Sequence, residues 1–192
     1  GDLYVGGIFT NLGSTSGDCI VKITDINGTP TINALGSGIT GTNYVVRTIA
    51  ISENGEVYAG GYFNNAGGVS GAKDIAKWNG ASWSAVSTGV NDAVYSLKFS
   101  ANGELYIGGI FTDTAYPYLC KWNGSAFSVV GTNTDINGYV YSLDFGANGI
   151  LYVGGEFTNA GGIASADYIA CWNGSSWQSL GTSTNDAVWQ IA

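Results

Sequence analysis

The sequence contains no histidine and no methionine, and it contains only 2 prolines in 192 residues. Without histidine there is no imidazole base, no Ser-His-Asp triad and no histidine-ligated metal. Charged residues make up 10% of the chain, well below the roughly 25% that is usual in soluble domains. These absences argue against the commonest catalytic and metal-binding chemistries before any motif is considered.

Basic residues are the scarcest charged class. The 6 Lys and Arg residues stand against 14 Asp and Glu, which gives a net charge of −8. Proteins bind phosphate backbones and anionic membrane surfaces through clustered basic residues, so we expect no nucleic-acid partner. The chain also lacks the run of about 18 apolar residues that a transmembrane helix requires, so no membrane insertion is expected.

The three cysteines, Cys19, Cys120 and Cys171, are widely spaced and form no CxxC pair. They therefore lack the spacing of a metal or redox site. Cys120 and Cys171 fall on consecutive positions of the predicted third strand in neighbouring repeats, where a disulfide between them is one alternative. The spacing between stacked sheets, about 10 Å, is marginal for that bond, so we expect free thiols.

Glycine is abundant, at 31 residues, and much of it marks an internal repeat. A Gly-Gly doublet follows an apolar-aromatic run four times, with successive doublets 54, 48 and 46 residues apart. Trp-Asn-Gly recurs at Trp78, Trp122 and Trp172, with a diverged copy over 23–28. The 192 residues divide into four repeats of about 48, approximately 1–49, 50–97, 98–143 and 144–192.

Each repeat is predicted to form four short strands. In the clearest copy, β-rich segments cover Val94–Phe99, Leu105–Gly109, 118–122 and 127–130. Asn102-Gly103 predicts a type I′ hairpin turn between the first two, and Asn123-Gly124 predicts a second hairpin. No segment has sustained helical periodicity. Four antiparallel strands in about 48 residues are typical of one propeller blade, so we predict an all-β, four-repeat β-propeller.

The order apolar strand, Gly-Gly, loop, aromatic residue and Trp resembles the kelch repeat. The text LYVGG…WNG…W is similar to kelch-like β-propeller repeats of large cell-surface and secreted proteins. This resemblance covers essentially the whole chain and implies a propeller fold, whereas a fold alone does not define a function. Galactose oxidase shares this scaffold, but its copper site uses two histidines, which this sequence lacks.

The repeat frame leaves two arrangements open. The chain begins on the second strand of a blade and ends on a first strand at 188–191, so the C-terminal strand would complete the blade that the N-terminal strands begin. One arrangement is a single closed four-bladed domain over 1–192. The other is a four-blade segment of a larger ring, with additional blades or self-association.

A ligand is expected at the loop-rich rim, where the connections between second and third strands and between blades gather. Our candidate ligand-binding residues, all in these loops or beside them, are Asn43, Tyr44, Asn91, Asp92, Tyr116, Asn137, Tyr139, Asn185 and Asp186. The four asparagines recur at one repeat position and either present amides to a glycan or cap turns with their own backbone. We favour turn capping.

Acidic residues offer weaker alternatives. Asp92 and Asp186 share a repeat position and could act as paired acids, but repeat symmetry explains the coincidence more simply than catalysis. Asp18, Asp113 and Asp135 carry oxygen ligands for Ca²⁺, but they lack EF-hand spacing. We therefore expect no catalytic residues, no metal and no cofactor.

These observations favour a non-catalytic extracellular or cell-surface interaction or adhesion module. Its partner would be a protein or a glycan at the loop-rich rim. The alternative is a carbohydrate-binding, lectin-like propeller in which tyrosines such as Tyr44, Tyr116, Tyr118 and Tyr139 stack on sugars. A third, weaker alternative is a glycoside-directed enzyme, which needs two carboxylates about 5 to 9.5 Å apart in one cleft.

Overall fold

The computed structural model describes residues 1–12, 18–41, 44–113 and 115–192. These residues form β-strands joined by turns, with a 3₁₀ turn at Ala160–Gly162, so the all-β prediction is confirmed. Within the same residues, no helix has the length and apolar character needed to cross a bilayer. The chain divides into two compact units, Gly1–Ala93 and Val94–Ala192, which we describe in turn.

The first unit contains three antiparallel sheets. Its strands, in chain order, are β1 (Leu3–Gly6), β2 (Ile20–Thr24), β3 (Thr31–Ala34), β4 (Ile39–Thr40), β5 (Val45–Ile51), β6 (Val57–Tyr62), β7 (Asn65–Ala66), β8 (Ile75–Trp78) and β9 (Trp83–Ala85). A three-stranded sheet has the order β1-β2-β3, and a four-stranded sheet has the order β5-β6-β8-β9. The short strands β4 and β7 pair with each other.

The second unit contains two four-stranded antiparallel sheets, ordered β10-β11-β12-β13 and β14-β15-β16-β17. Their strands are β10 (Val94–Phe99), β11 (Leu105–Gly109), β12 (Leu119–Trp122), β13 (Phe127–Val129), β14 (Tyr139–Phe145), β15 (Leu151–Glu156), β16 (Ile169–Trp172) and β17 (Trp177–Gln178). The strands predicted for the clearest repeat therefore lie where the sequence places them, to within one residue at each end.

The hairpin turns differ from the predicted type I′. Between β10 and β11, the Ser100 N–H donates to the Glu104 carbonyl, and the Gly103 N–H donates to the Ser100 carbonyl. Gly103 has φ 80°, so this is a three-residue loop with a left-handed glycine. Between β12 and β13, Gly124 (φ 97°) is the first central residue, as in type II′ turns, and Asn123 flanks it.

The predicted C-terminal strand at 188–191 joins no sheet of the described residues, and the N-terminal sheet accordingly has three strands. The segment nevertheless lies against the last sheet. The Val188 N–H donates to the Gly155 carbonyl at 3.1 Å, and the Ile191 N–H donates to Ser142 Oγ at 2.9 Å. The described residues show no strand pairing for this segment, and its apolar side chains pack on the last sheet.

The Gly-Gly doublet allows close packing within each unit. A Cβ added to its first glycine would lie 2.5 Å from Val46 Cγ1 at Gly6, and 2.5 Å from Val140 Cγ1 at Gly108. At Gly154 the same Cβ would lie 2.7 Å from Val188 Cγ1. Real Cβ atoms do not approach so closely, so each valine occupies space that only glycine leaves free.

The residue immediately before each of the strands β2, β8, β12 and β16 has a left-handed backbone. These residues are Cys19 (φ 61°), Asp74 (φ 58°), Tyr118 (φ 62°) and Tyr168 (φ 63°). In every case the residue donates its N–H to a phenylalanine carbonyl, and its own carbonyl accepts from the second glycine of the doublet. These two hydrogen bonds offset the strain of a non-glycine residue in this conformation, which is about 1–2 kcal/mol.

All three cysteines are free and buried, as expected. Desolvation raises the pKa of the Cys120 thiol, because burial disfavours the thiolate. Such thiols are small apolar core residues with low reactivity.

Candidate functional site

Five aromatic side chains of the second unit form a continuous strip, which we call the aromatic strip: Tyr118, Tyr139, Tyr141, Tyr95 and Trp189. Ring centroids are 6.0 Å apart for Tyr118–Tyr139 and 6.3 Å apart for Tyr139–Tyr141. Tyr141 lies 5.3 Å from Tyr95 and stacks on Trp189 at 4.4 Å, with 3° between the ring planes. These separations fall in the range of favourable aromatic pairs.

Two members of the strip are placed by β-bulges. The β10–β11 register shifts between Val94 and Ser96, and the β14–β15 register shifts between Val140 and Ser142. Tyr95 and Tyr141 are the extra residues, and a bulge redirects the side chain it carries. Trp189 occupies the same repeat position in the C-terminal segment, and its ring stacks on that of Tyr141.

The strip is open to solvent at Tyr139 and Trp189, whose exposures are 42% and 67%. Scattered exposed aromatics are ordinary on a protein surface, whereas a connected set of rings marks a contact surface. Tyr and Trp are enriched at interfaces because they supply large apolar faces with a polar tip. The strip is therefore the strongest candidate binding surface among the described residues of the second unit.

Glu156 is hydrogen-bonded to the strip. The Tyr141 hydroxyl donates to Glu156 Oε2 at 2.8 Å. Burial raises the pKa of Tyr141, and the hydrogen bond to Glu156 raises it further. Tyr141 therefore remains a protonated donor at neutral pH, and the Glu156 carboxylate is the acceptor.

One end of the strip forms a small cavity, which we call the Tyr–Glu pocket. It has a volume of about 320 Å³ and is lined by Tyr118, Asn137, Gly138, Tyr139 and Glu156. Tyr139 and Glu156 are directly opposite each other on β14 and β15, so their side chains lie on the same face of the sheet. Tyr118, which sits at the left-handed position before β12, also lines the pocket, with its ring tilted by 63° relative to that of Tyr139.

The structure brings together only some of the predicted site residues. Asn137 and Tyr139 both line the Tyr–Glu pocket. The Asn137 amide nitrogen donates to Thr158 Oγ1 at 3.1 Å, and its Oδ1 accepts the Thr158 N–H at 2.9 Å. Asn137 therefore ties two loops together, rather than capping its own turn.

The other predicted residues of the second unit lie elsewhere. The Tyr116 ring packs on Phe127, with centroids 5.9 Å apart. Asn185 and Asp186 are exposed, and Asp186 Oδ1 accepts the N–H of the next residue at 2.7 Å. This local bond is typical of a turn residue.

In the first unit, Tyr44 is half-buried and packs against the core cluster. The Asn91 carbonyl accepts a hydrogen bond from Lys73 Nζ at 3.4 Å. Asp92 Oδ1 accepts the N–H of Ala93 at 2.7 Å, the same local bond that Asp186 makes. The shared repeat position thus has a shared turn role. Asn43 lies outside the described residues.

The three aspartates considered for Ca²⁺ are each engaged in a turn. Asp18 accepts the Asn11 N–H, and Asp113 accepts the Ala115 N–H. Asp135 accepts from the Thr132 backbone and hydroxyl and from Trp177 Nε1. Over the part of the chain that the structure describes, no three cysteines or acidic residues gather as metal ligands.

A second cavity, of about 480 Å³, lies at the hairpin end of the second unit. Its lining includes Tyr106, Trp172 and the ion pair between Lys121 Nζ and Glu104 Oε1, which measures 2.8 Å. Because these opposite charges neutralise each other, the cavity offers a ligand little electrostatic attraction. In the Tyr–Glu pocket, by contrast, none of the five described lysine ion pairs involves the carboxylate.

Sequence reasoning missed Tyr95, Tyr141, Trp189 and Glu156. A signal for three of them exists in the repeat alignment, because Arg47, Tyr95, Tyr141 and Trp189 share one position and are all large. A large residue there breaks the alternation of an ordinary strand. The bulge that explains it depends on pairing between strands, which a single strand's sequence does not specify.

No family model matches this chain, and no curated protein matches it. Among solved structures, a complex of YCF48 bound to D1 peptide is similar to this chain, with 16% sequence identity and a TM-score of 0.45. The aligned region covers 83% of this chain and 46% of that one. The extracellular domain of a putative one-component system, BT4673 of B. thetaiotaomicron, is similar with 11% sequence identity and a TM-score of 0.40. That alignment covers 98% of this chain and 30% of the other. The chain thus spans less than half of either structure, and likeness at this level carries no argument about function.

Proposed function

We propose that the protein is a non-catalytic interaction module that binds its partner through the aromatic strip. The carrying observation is the connected set of five rings, with Tyr139 and Trp189 open to solvent. Three of the five residues, Tyr95, Tyr139 and Tyr141, lie on strands, so their backbone is already ordered before a partner binds. In this proposal the module acts outside the cell or at the cell surface, in adhesion or in a related contact.

The scaffold in this proposal is a kelch-like four-bladed β-propeller. Three four-stranded antiparallel sheets and one three-stranded sheet follow the repeat frame and support it. The fourth strand of the N-terminal blade would be the segment 188–191, which has the apolar pattern of the other innermost strands. Closure of this kind removes an open strand edge, which is otherwise a site of aggregation.

The test is a binding screen with labelled protein on an array of peptides and an array of glycans. We expect the bound spots to be lost in Tyr139→Ala and Trp189→Ala. The matched control is Tyr62→Ala, since Tyr62 is exposed to 43% but lies outside the strip. Thermal unfolding of each variant establishes that the fold is retained. Binding that survives both strip substitutions in folded protein would refute the proposal.

A carbohydrate ligand is the second candidate, favoured by the stacked pair Tyr141–Trp189. The indole lies flat on the phenol, with 3° between the planes, and most of Trp189 is exposed. A flat exposed ring suits the apolar face of a sugar. Glycan spots that depend on Trp189 while peptide spots are blank would favour this candidate over a protein partner.

A further inference from the structure

The Tyr–Glu pocket combines a carboxylate, Glu156, with two tyrosine rings. All five lysines form ion pairs with other carboxylates: Lys22–Asp2, Lys73–Asp74, Lys77–Glu56, Lys98–Asp144 and Lys121–Glu104. Glu156 is not among these partners. Its Oε2 accepts a hydrogen bond from the neutral Tyr141 hydroxyl. The five lysines therefore leave the negative charge of this pocket in place, in a chain of net charge −8.

The rings beside Glu156 add to this attraction. The face of a tyrosine ring carries negative charge density and attracts a cation within about 6 Å of its centroid. Tyr118 and Tyr139 meet at a centroid separation of 6.0 Å with 63° between the planes, so the two rings present surfaces at an angle. The Glu156 carboxylate would repel an anion, and a neutral ligand would form no ion pair with it.

We propose that the Tyr–Glu pocket binds a basic side chain, lysine or arginine, of a protein partner. The ammonium or guanidinium group pairs with the Glu156 carboxylate, and its aliphatic stem packs on Tyr118 and Tyr139. The volume of about 320 Å³ accommodates one such side chain but not a folded domain. This inference rests on the proposed interaction function and names the chemistry of the partner's central contact.

The test is an NMR titration of the isotope-labelled protein with capped arginine and capped lysine amides, to about 50 mM because ligands of this size bind weakly. The backbone signals of Gly138 and Glu156 report on the pocket. We expect both cations to shift these signals and added salt to weaken the effect. Capped citrulline and capped acetyl-lysine, which are neutral analogues, should leave the signals in place.

Variants separate charge from shape. Glu156→Gln keeps a hydrogen-bond acceptor for Tyr141 but removes the charge, and we expect affinity for the capped cations to fall about tenfold. Glu53→Gln is the matched control, since Glu53 is exposed and far along the chain. Tyr139→Phe retains the ring face and should bind, whereas Tyr139→Leu should not.

Each outcome decides between the two proposals. Equal shifts with citrulline, or unchanged binding in Glu156→Gln, would overturn the cation site while leaving an interaction through the strip intact. A neutral saccharide that shifts the pocket signals when the cations do not would overturn it in favour of a glycan. If the capped cations bind but no ligand on the arrays depends on the aromatic strip, the cation site is retained and the proposed interaction function is refuted.

Discussion

Asp74 is a carboxylate with no solvent exposure, at the left-handed position before β8. Its Oδ1 accepts the Phe63 N–H at 3.0 Å. Its Oδ2 lies 3.3 Å from Lys73 Nζ but makes no hydrogen bond of good geometry, so the ion pair satisfies it only in part. Desolvation raises the pKa of Asp74, and the Phe63 and Lys73 interactions oppose this only incompletely.

We predict that Asp74→Asn stabilises the protein at about pH 7, since the charged form is the one that burial disfavours. A raised folded-state pKa means that the parent is favoured at low pH and loses stability as the pH rises from 3.8 through the folded-state pKa. The advantage of the variant should therefore disappear toward acid. Urea unfolding across this pH range measures it.

Asp25→Asn is the control for that experiment. Asp25 also has a positive φ, 55°, but its side chain is exposed, so its replacement changes a left-handed aspartate without removing a buried carboxylate. If the free energy of unfolding of the parent and of Asp74→Asn varied with pH in the same way, burial would not be destabilising the ionised carboxylate.

At the scale of elements, the Gly-Gly doublet explains close packing between successive sheets. The strand that carries the doublet lies against the first strand of the next sheet. Gly108 lies on β11 and Val140 on β14, and both are buried. A glycine in a strand leaves room for a bulky neighbour to approach closely. The structure places valine there, while tryptophan packs on other glycines such as Gly161.

We predict that Gly108→Ala destabilises the protein by about 1–3 kcal/mol, the usual cost of overpacking a filled core. The added Cβ would lie 2.5 Å from Val140 Cγ1. In a Val140→Ala background the same substitution should cost less, because the obstructing methyl is gone. A double-mutant cycle by chemical denaturation measures the coupling. Additive costs would mean that the two positions do not meet.

The C-terminal segment is the element that sequence reasoning describes least well. Its alternation predicts a strand, and Val188 and Ile191 do pack on the last sheet. Pairing requires a neighbour with free backbone groups, and no local pattern specifies which neighbour that is. The contact of its apolar side chains with a sheet was therefore predictable, whereas the pairing of its backbone was not.

At the scale of the whole molecule, the sequence repeat frame and the sheets agree. Three sheets have four antiparallel strands in consecutive order, as the repeat predicts, and the N-terminal sheet has three. The proposed propeller requires one more strand for that sheet. In a closed four-bladed ring this strand comes from the same chain, whereas in a larger ring or an assembly it comes from elsewhere.

A closed four-bladed ring predicts a monomer in solution, with a mass near the 19.8 kDa of one chain. Light scattering behind size exclusion measures this mass over a range of protein concentrations. A stable dimer would contradict closure and favour completion of the N-terminal sheet by a second copy.

The sequence by itself determined the strand class, the four repeats and the bounds of the strands in the clearest repeat. These features depend on local alternation and on turn residues, which recur at fixed spacing. It also indicated Tyr139 and Asn137 as surface residues near a loop. Only the tertiary structure decided that Tyr95, Tyr141 and Trp189 stack, because bulges and the packing of one strand on the next bring distant residues together. The scarcity of lysine was visible in the composition, but the structure was needed to bring Glu156 beside Tyr139 and Tyr141.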